Sequence, residues 1–434
     1  MPQVMIIGAG ATGLTLAIEL LRRGVAVRIV DIAEQYFGGA RGKGIQPRTL
    51  ELLDMAGLAD DVMSSATLYP FIKLHFGPIG IRAWSLGSRY PASEDRPFPN
   101  LMMLAQSHTE RILRARVETL GGKVELGTGI EALSQSTGGV KVTLTTGEVV
   151  MTEYAVACDG GRSATRRLLG LKLLGSNVDT KTSIVADLEI ENLDPEFWHA
   201  YPLWRGGLHS LAPLPGGELF QLQAPESIAA NGLEAGVARM CGERVRKLVW
   251  QSRYTHQTRM VDRYRVGRVF IAGDAAHIHP PSGAQGLNTG MQDAFNLGWK
   301  LVSAIRTRDP AILDTYEAER LPVAAAMLDL TSKLHMTVSK SRGDLTNQLG
   351  LSYAGGPLAG GLAREGLNAG DRMPDQRLAD GRRLYEAMRH GGATQIMRAA
   401  GDHVLIRPDG YIAEFCGSEA ATYYGHEVLH VHGI

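Results

Sequence analysis

The chain is poor in the residues that build several kinds of protein. It has three cysteines in 434 residues, Cys158, Cys241 and Cys416, odd in number and far apart. That excludes a disulfide scaffold, removes any C-x-x-C redox pair and points to a reducing compartment. Lys+Arg and Asp+Glu are both 45, for a formal net charge of +0, so no bulk field recruits nucleic acid or an anionic membrane. No uncharged apolar run approaches the ~20 residues of a membrane span. Val4–Ile7 is too short for a signal core and lacks a basic leader. The expectation is a cytoplasmic protein without nucleic-acid or membrane partners, monomeric or homodimeric. No metal-ligand Cys/His spacing is present; His277 and His279 sit in a Pro- and Gly-rich loop.

The 44% hydrophobic and 21% charged residues are ordinary for a globular chain, and the length calls for two or three domains. The first thirty residues read as a βαβ unit: a strand over 4–7, a turn over 8–13, a helix over 14–23 and a strand over 25–30 ending in Asp31. Each glycine has a steric task. Gly8 makes the turn, Gly10 lets a pyrophosphate approach backbone, and Gly13 lets helix and strand pack; Ala11 and Thr12, in the same turn, count with them as cofactor-binding candidates. Asp31, ~20 residues on, suits ribose hydroxyls and disfavours a 2′-phosphate, so the resident ligand is FAD or NAD rather than NADP.

A second signal lies far downstream. An apolar strand over 269–272 runs into Gly273-Asp274, a Pro- and Gly-rich turn, and a helix opening at Gly286-Leu287-Asn288. A carboxylate ending a buried strand can accept hydrogen bonds from a sugar-like chain, and a helix N-terminus offers amides and a positive dipole end. Together these suit a flavin, with ribityl hydroxyls on Asp274 and the pyrimidine edge over the amides of 286–288.

Between them lie weaker candidates. The loop 36–48 puts four glycines beside Arg41, Lys43 and Arg48 and reads as mobile, with Arg41 approaching the pyrophosphate or the flavin face. Gln106 precedes a capping box of Ser107 with Glu110 and reaches either a ligand or solvent. Asp159-Gly160 follows a buried strand and precedes a basic helix start at Arg166-Arg167, a second docking point for phosphate or ribose, or a plain turn. Residues 180–262 have β texture, with a hairpin around Pro215-Gly216-Gly217. A sheet there would roof a substrate pocket, and Tyr201, Trp204, His209, Gln221 and Gln223 are candidates to line it or ordinary strand residues.

Assembled in this order, Gly8–Gly13, Asp31, Arg41, Gln106, Asp159-Gly160 and Gly273-Asp274 resemble the class A FAD-dependent aromatic hydroxylases, single-component flavoprotein monooxygenases, over about residues 1–340. The tail, Ala369–Pro374 and Val404–Ala413, resembles the thioredoxin-like C-terminal region of the phenol and polyketide hydroxylase branch; 389–403 is short for a whole domain, so that region is reduced or incomplete.

The resemblance implies an α/β fold. A discontinuous Rossmann-like FAD-binding domain would take 1–175 and 263–340, an inserted β-sheet substrate domain 176–262 with part of 66–100, and the C-terminal region 365–434. It implies non-covalent FAD, NADH or NADPH as transient co-substrate, O₂, and a small phenolic or polycyclic aromatic substrate hydroxylated through a flavin C4a-hydroperoxide. Pro281 would lie near the oxygen-bearing flavin carbon, and Arg41 would act in reduction. Epoxidation, Baeyer–Villiger oxygenation, or sequestration of a metabolite by a flavin protein remain as alternatives. The sequence names neither the substrate, the site of oxygenation, the preferred nicotinamide nor the oligomeric state.

Overall fold

A computed structural model of the chain describes residues 1–77, 79–87, 89–204, 207–279, 283–336, 346–360, 366–397, 403–417, 420 and 422–433. Its centre is a six-stranded sheet in the order Arg265–Val266, Val269–Ile271, Tyr154–Ala157, Val4–Ile7, Val27–Val30, Val124–Glu125. The five strands from Val269–Ile271 onward are parallel. Every residue of Val4–Ile7 is buried, as a central strand covered on both faces requires. Helix Ala11–Leu21 returns over this sheet, apolar nearly all round because helix Gly286–Thr307 covers its outer side. A Cβ on Gly298 would lie 2.6 Å from the Glu19 Cβ, so that glycine sets the helix–helix approach.

The second layer is an eight-stranded, mostly antiparallel sheet. Its order is His277–Ile278, Val245–Met260, Leu174–Ile190, Leu219–Pro225, His209–Pro213, Phe197–Tyr201, Phe71–Phe76, Ile79–Ser85. Strand alternation divides it cleanly. Ile184, Ala186, Leu188, Ile190, Phe220, Leu222 and Leu211 form one core with helix Leu233–Cys241. Asp187, Gln221 and Gln223 point the other way, toward the loop after Asp31.

The C-terminal part is a five-stranded sheet, ordered Ile412–Cys416, His403–Ile406, Ala393–Met397, His426–His432, Thr422–Tyr423. Its helix Leu384–Ala387 spans only four residues. Buried charge fastens this sheet to the first layer. Arg407 meets Glu319 at 2.7 Å and Asp409 at 2.7 Å, Lys300 meets Glu319 at 2.7 Å, and Arg48 donates to the Asp409 carbonyl at 2.8 Å. Burial opposes ionisation of Glu319, yet Arg407 and Lys300 outweigh it and hold its carboxyl well below the usual range. Among the described residues no helix is long and apolar enough to cross a membrane.

Candidate functional site

The glycine turn fits its steric reading. Gly8 has φ +105°, and a Cβ there would sit 2.3 Å from the Cys158 carbonyl oxygen. A Cβ on Gly13 would lie 1.9 Å from the Gly8 carbonyl oxygen. Gly10 differs: its nearest obstacle is Glu110 Oε1 at 3.6 Å, so the protein leaves room in front of it. Thr12 packs between Gly273 and Gly290, where added Cβ atoms would each meet its Oγ1 at 2.5 Å. The turn of the first half is thereby pressed against the Gly-Asp element of the second. Asp31 accepts from the amides of Ala9 at 2.7 Å and Ala33 at 2.9 Å, bracing the turn while remaining part-exposed.

The loop expected to be mobile is held on both flanks. Ala40 N donates to Asp187 Oδ2 at 2.8 Å, Lys43 Nζ donates to Gln221, and Gln221 donates to the Ala40 carbonyl. On the other flank Gly42 N donates to Gln106 Oε1 at 3.1 Å, Gln106 N to the Gly42 carbonyl at 2.9 Å, and Leu104 N to the Lys43 carbonyl at 3.0 Å. A Cβ on Gly39 would strike the Trp250 ring at 2.6 Å. The glycines therefore serve close packing as much as motion. Arg41 is exposed, its guanidinium 5.4 Å from the Phe37 ring centre and 5.7 Å from that of Trp250.

The capping box does not form. Helix Gln106–Thr119 begins two residues early, with Ala105 rather than Ser107 as N-cap and no side-chain cap. Ser107 N donates to the Gly39 carbonyl at 3.3 Å. Glu110 turns away to accept from Ala11 N at 3.3 Å and from Gln106 Nε2 at 2.8 Å. A tertiary amide outcompetes the local one.

Asp159 and Gly160 lie behind the glycine turn; the Gly8 Cβ position is 2.8 Å from Asp159 N. Asp159 Oδ2 accepts from Thr165 N and Thr165 Oγ1, both at 3.0 Å, and Gly160 adopts φ +73° to enter helix Ala164–Leu168. Arg166 donates to the carbonyls of Gly161 at 2.8 Å and Ala275 at 2.9 Å, tying this turn to the Gly-Asp element.

Gly273 takes φ +61° and Asp274 follows it, open to solvent on one side. The protein crowded around it pushes its carboxyl above the usual range, with His277 and Arg41 opposing. Gly286 is close by: its Cβ position lies 3.9 Å from Asp274 Oδ1. Helix Gly286–Thr307 starts there, its N-cap Gln285 giving no side-chain cap, so the amides of Gly286, Leu287 and Asn288 lack intrahelical partners. Leu287 packs over Gly42, with Cδ1 3.4 Å from that glycine's Cβ position. The Asn288 side chain is structural: Oδ1 accepts from Gln46 N at 2.8 Å, and Nδ2 donates to the Gly44 carbonyl at 2.8 Å. Pro281 lies outside the described residues.

Of the roof candidates, Gln221 and Gln223 face this side, Gln223 donating to Gln221 Oε1 at 3.3 Å. Tyr201 and His209 face each other on the opposite face; Tyr201 belongs to the core under helix Leu233–Cys241, and Trp204 packs against that core. Sequence reasoning passed over Trp198, whose ring lies 4.7 Å from Lys43 Nζ, as well as Asp187 and Trp250. It also missed the buried support of Gly273. Asp293 Oδ2 accepts from Gly273 N at 3.1 Å and pairs with His277 Nε2 at 2.7 Å, while Oδ1 pairs with Arg320 Nε at 2.7 Å. Burial opposes the charge on Asp293, and Arg320 with His277 outweighs it, keeping the carboxyl below its usual range.

Open space before Gly10, an accessible Asp31, an accessible Asp274 and a helix start without a side-chain cap within reach of it could hold the two ends of FAD. Comparison with known proteins agrees. The FAD binding domain family matches residues 1–207 and 225–331. A flavin-dependent monooxygenase of Mycobacteroides abscessus is 37% identical, across 94% of this chain and 96% of its own. A rifampicin monooxygenase of Rhodococcus hoagii is 34% identical across 79% of this chain and 73% of its own. The crystal structure of the anhydrotetracycline hydroxylase OxyS from Streptomyces rimosus superposes with a TM-score of 0.75 at 28% identity, covering 98% of this chain and 99% of that one. The chain belongs to the FAD-binding family of flavin-dependent aromatic monooxygenases and is an enzyme of that class.

Proposed function

We propose that the protein uses NADH or NADPH and O₂ to hydroxylate a phenolic or polycyclic aromatic substrate lying between the flavin site and the eight-stranded sheet. The observation that carries this reading is the meeting of Gly10, Asp31, Asp274 and the helix start at Gly286 from three separate stretches of chain. Its near-full-length similarity to a flavin-dependent monooxygenase supports it. Relatives named for rifampicin, anhydrotetracycline and pentachlorophenol favour a bulky or electron-rich phenol.

When bound, FAD supplies hydride acceptance and oxygen activation, while the protein binds, orients and shields. Gly10 and the Ala11–Thr12 helix start take the pyrophosphate, Asp31 the adenosine ribose, and Asp274 the ribityl hydroxyls. The amides of 286–288 take the electron-rich pyrimidine edge, where a reduced flavin carries negative charge. Trp198, Gln221 and Gln223 present an aromatic and polar surface to the substrate side. Arg41 is a cation near Asp274, and Lys43 is one beside Trp198 and Gln221. The test is a screen of phenolic compounds for accelerated NAD(P)H loss and a product one oxygen atom heavier. NAD(P)H loss with no oxygenated product from any phenol would overturn hydroxylation. Arg41→Ala should slow substrate-stimulated flavin reduction in anaerobic stopped flow; reduction at the parent rate would make Arg41 a surface charge.

A further inference from the structure

Glu110 holds a position that its charge makes difficult. It projects from helix Gln106–Thr119 at the glycine turn, only 6% exposed. Oε1 lies 3.3 Å from Ala11 N, 2.8 Å from Gln106 Nε2 and 3.6 Å from the Cβ position of Gly10. It thus takes an amide of the helix N-terminus that a pyrophosphate approaches. Asp31, bonded to Ala9, sets a second carboxylate on the same turn. A bound pyrophosphate would bring two more negative charges to this turn.

Among the described residues no cation forms an ion pair with Glu110. Arg114, one turn along Glu110's own helix, stacks on Tyr36 at 3.6 Å. Arg41 stands against Phe37 and Trp250. His108 and Arg111 flank Glu110 in sequence, and from the facing helix the contact is the Ala11 amide. Like charges this close do not ionise together; one is relieved by taking a proton. Asp31 accepts two backbone amides and is part-exposed, whereas Glu110 is 6% exposed and faces the turn from a second helix. Burial pushes the Glu110 carboxyl up and Asp31 adds to this, while Gln106, Ala11 and Arg114 oppose.

We propose that Glu110 takes up a proton as FAD binds and, as the neutral acid, donates a hydrogen bond to the pyrophosphate, coupling cofactor loading to pH. The proton comes from solvent and no other bond changes. A pyrophosphate beside an ionised acid is repelled, whereas beside a protonated one it gains a donor. Glu110 is then a positioning residue for the phosphate end of the cofactor, and its test reads protons rather than turnover.

FAD is titrated into apo-protein by calorimetry in two buffers of different ionisation enthalpy, over a range of pH. The expected result is uptake of up to one proton per FAD, with Kd rising by about tenfold per pH unit while Glu110 changes state between free and loaded forms. Glu110→Gln keeps a neutral donor. It should bind FAD as the parent does at low pH, take up no proton there and lose the slope. Asp274→Asn should bind FAD more weakly yet retain the uptake, which excludes the raised carboxyl at the ribityl end. No proton uptake by the parent protein overturns the proposal without any variant having to fold, and so does an undiminished uptake in Glu110→Gln. Failure of the parent to bind FAD at all would instead overturn the cofactor assignment.

Discussion

The two ends of helix Gly286–Thr307 show opposite chemistry. Its first turn has amides without intrahelical partners, no side-chain cap among the described residues, and an accessible carboxylate at Asp274 within reach. Further along, every buried charge has its opposite. Asp293 is held by Arg320 and His277, and Lys300 shares Glu319 with Arg407. A helix end whose first amides have no intrahelical partner can take up an anion, whereas a saturated ion network needs nothing further. Binding belongs to the first end and cohesion of the C-terminal sheet to the second.

Substitutions separate the two roles. Arg407→Ala leaves Asp409 and Glu319 buried with fewer counter-charges, and unfolding should become easier by about 3–5 kcal/mol, read from denaturant melts. A loss below roughly 1 kcal/mol would mean water replaces the guanidinium at little cost. Asp274→Ala should do the reverse. Melting of the apo-protein should hold or rise, while FAD affinity falls by ~10- to 100-fold, or about 1–3 kcal/mol, from a lost acceptor. Unchanged affinity would remove Asp274 from the ribityl chain.

A smaller effect is expected in the roof. Asp187 is pushed up to about 6 by burial, which the Ala40 amide and Lys43 only partly offset. A carboxyl raised on folding stabilises the fold when protonated. That contribution is complete below the ordinary carboxylate range and is lost as pH rises through about 6. Asp187→Asn keeps an acceptor for Ala40, so above this pH the variant should be the more stable by about 1 kcal/mol, with no difference at acid pH. A variant less stable at pH 8 would show that the carboxylate's pairing with Lys43 outweighs its desolvation.

The incomplete end of the helix was legible in sequence; the saturated network was not. Gly8–Gly13, Asp31, Gly273-Asp274 and the helix start at Gly286 are local patterns in which steric need fixes residue type over a few positions. The network joining residues 293, 300, 319, 320 and 407 spans more than a hundred residues, and no periodicity announces it. The roof residues divide between the two faces for another reason. Alternation tells that Tyr201 and His209 share a face and that Gln221 and Gln223 share another, but not which face meets the loop. Around Glu110 a sound local rule, the capping box, gave way to an amide 99 residues away.

Hydrogen exchange with and without FAD tests the division most directly. FAD should slow exchange at Gly286, Leu287 and Asn288 and at Ala11 and Thr12, and leave Lys300–Arg306 and His403–Ile406 unchanged. Equal protection of both ends, or none at residues 286–288, would contradict it.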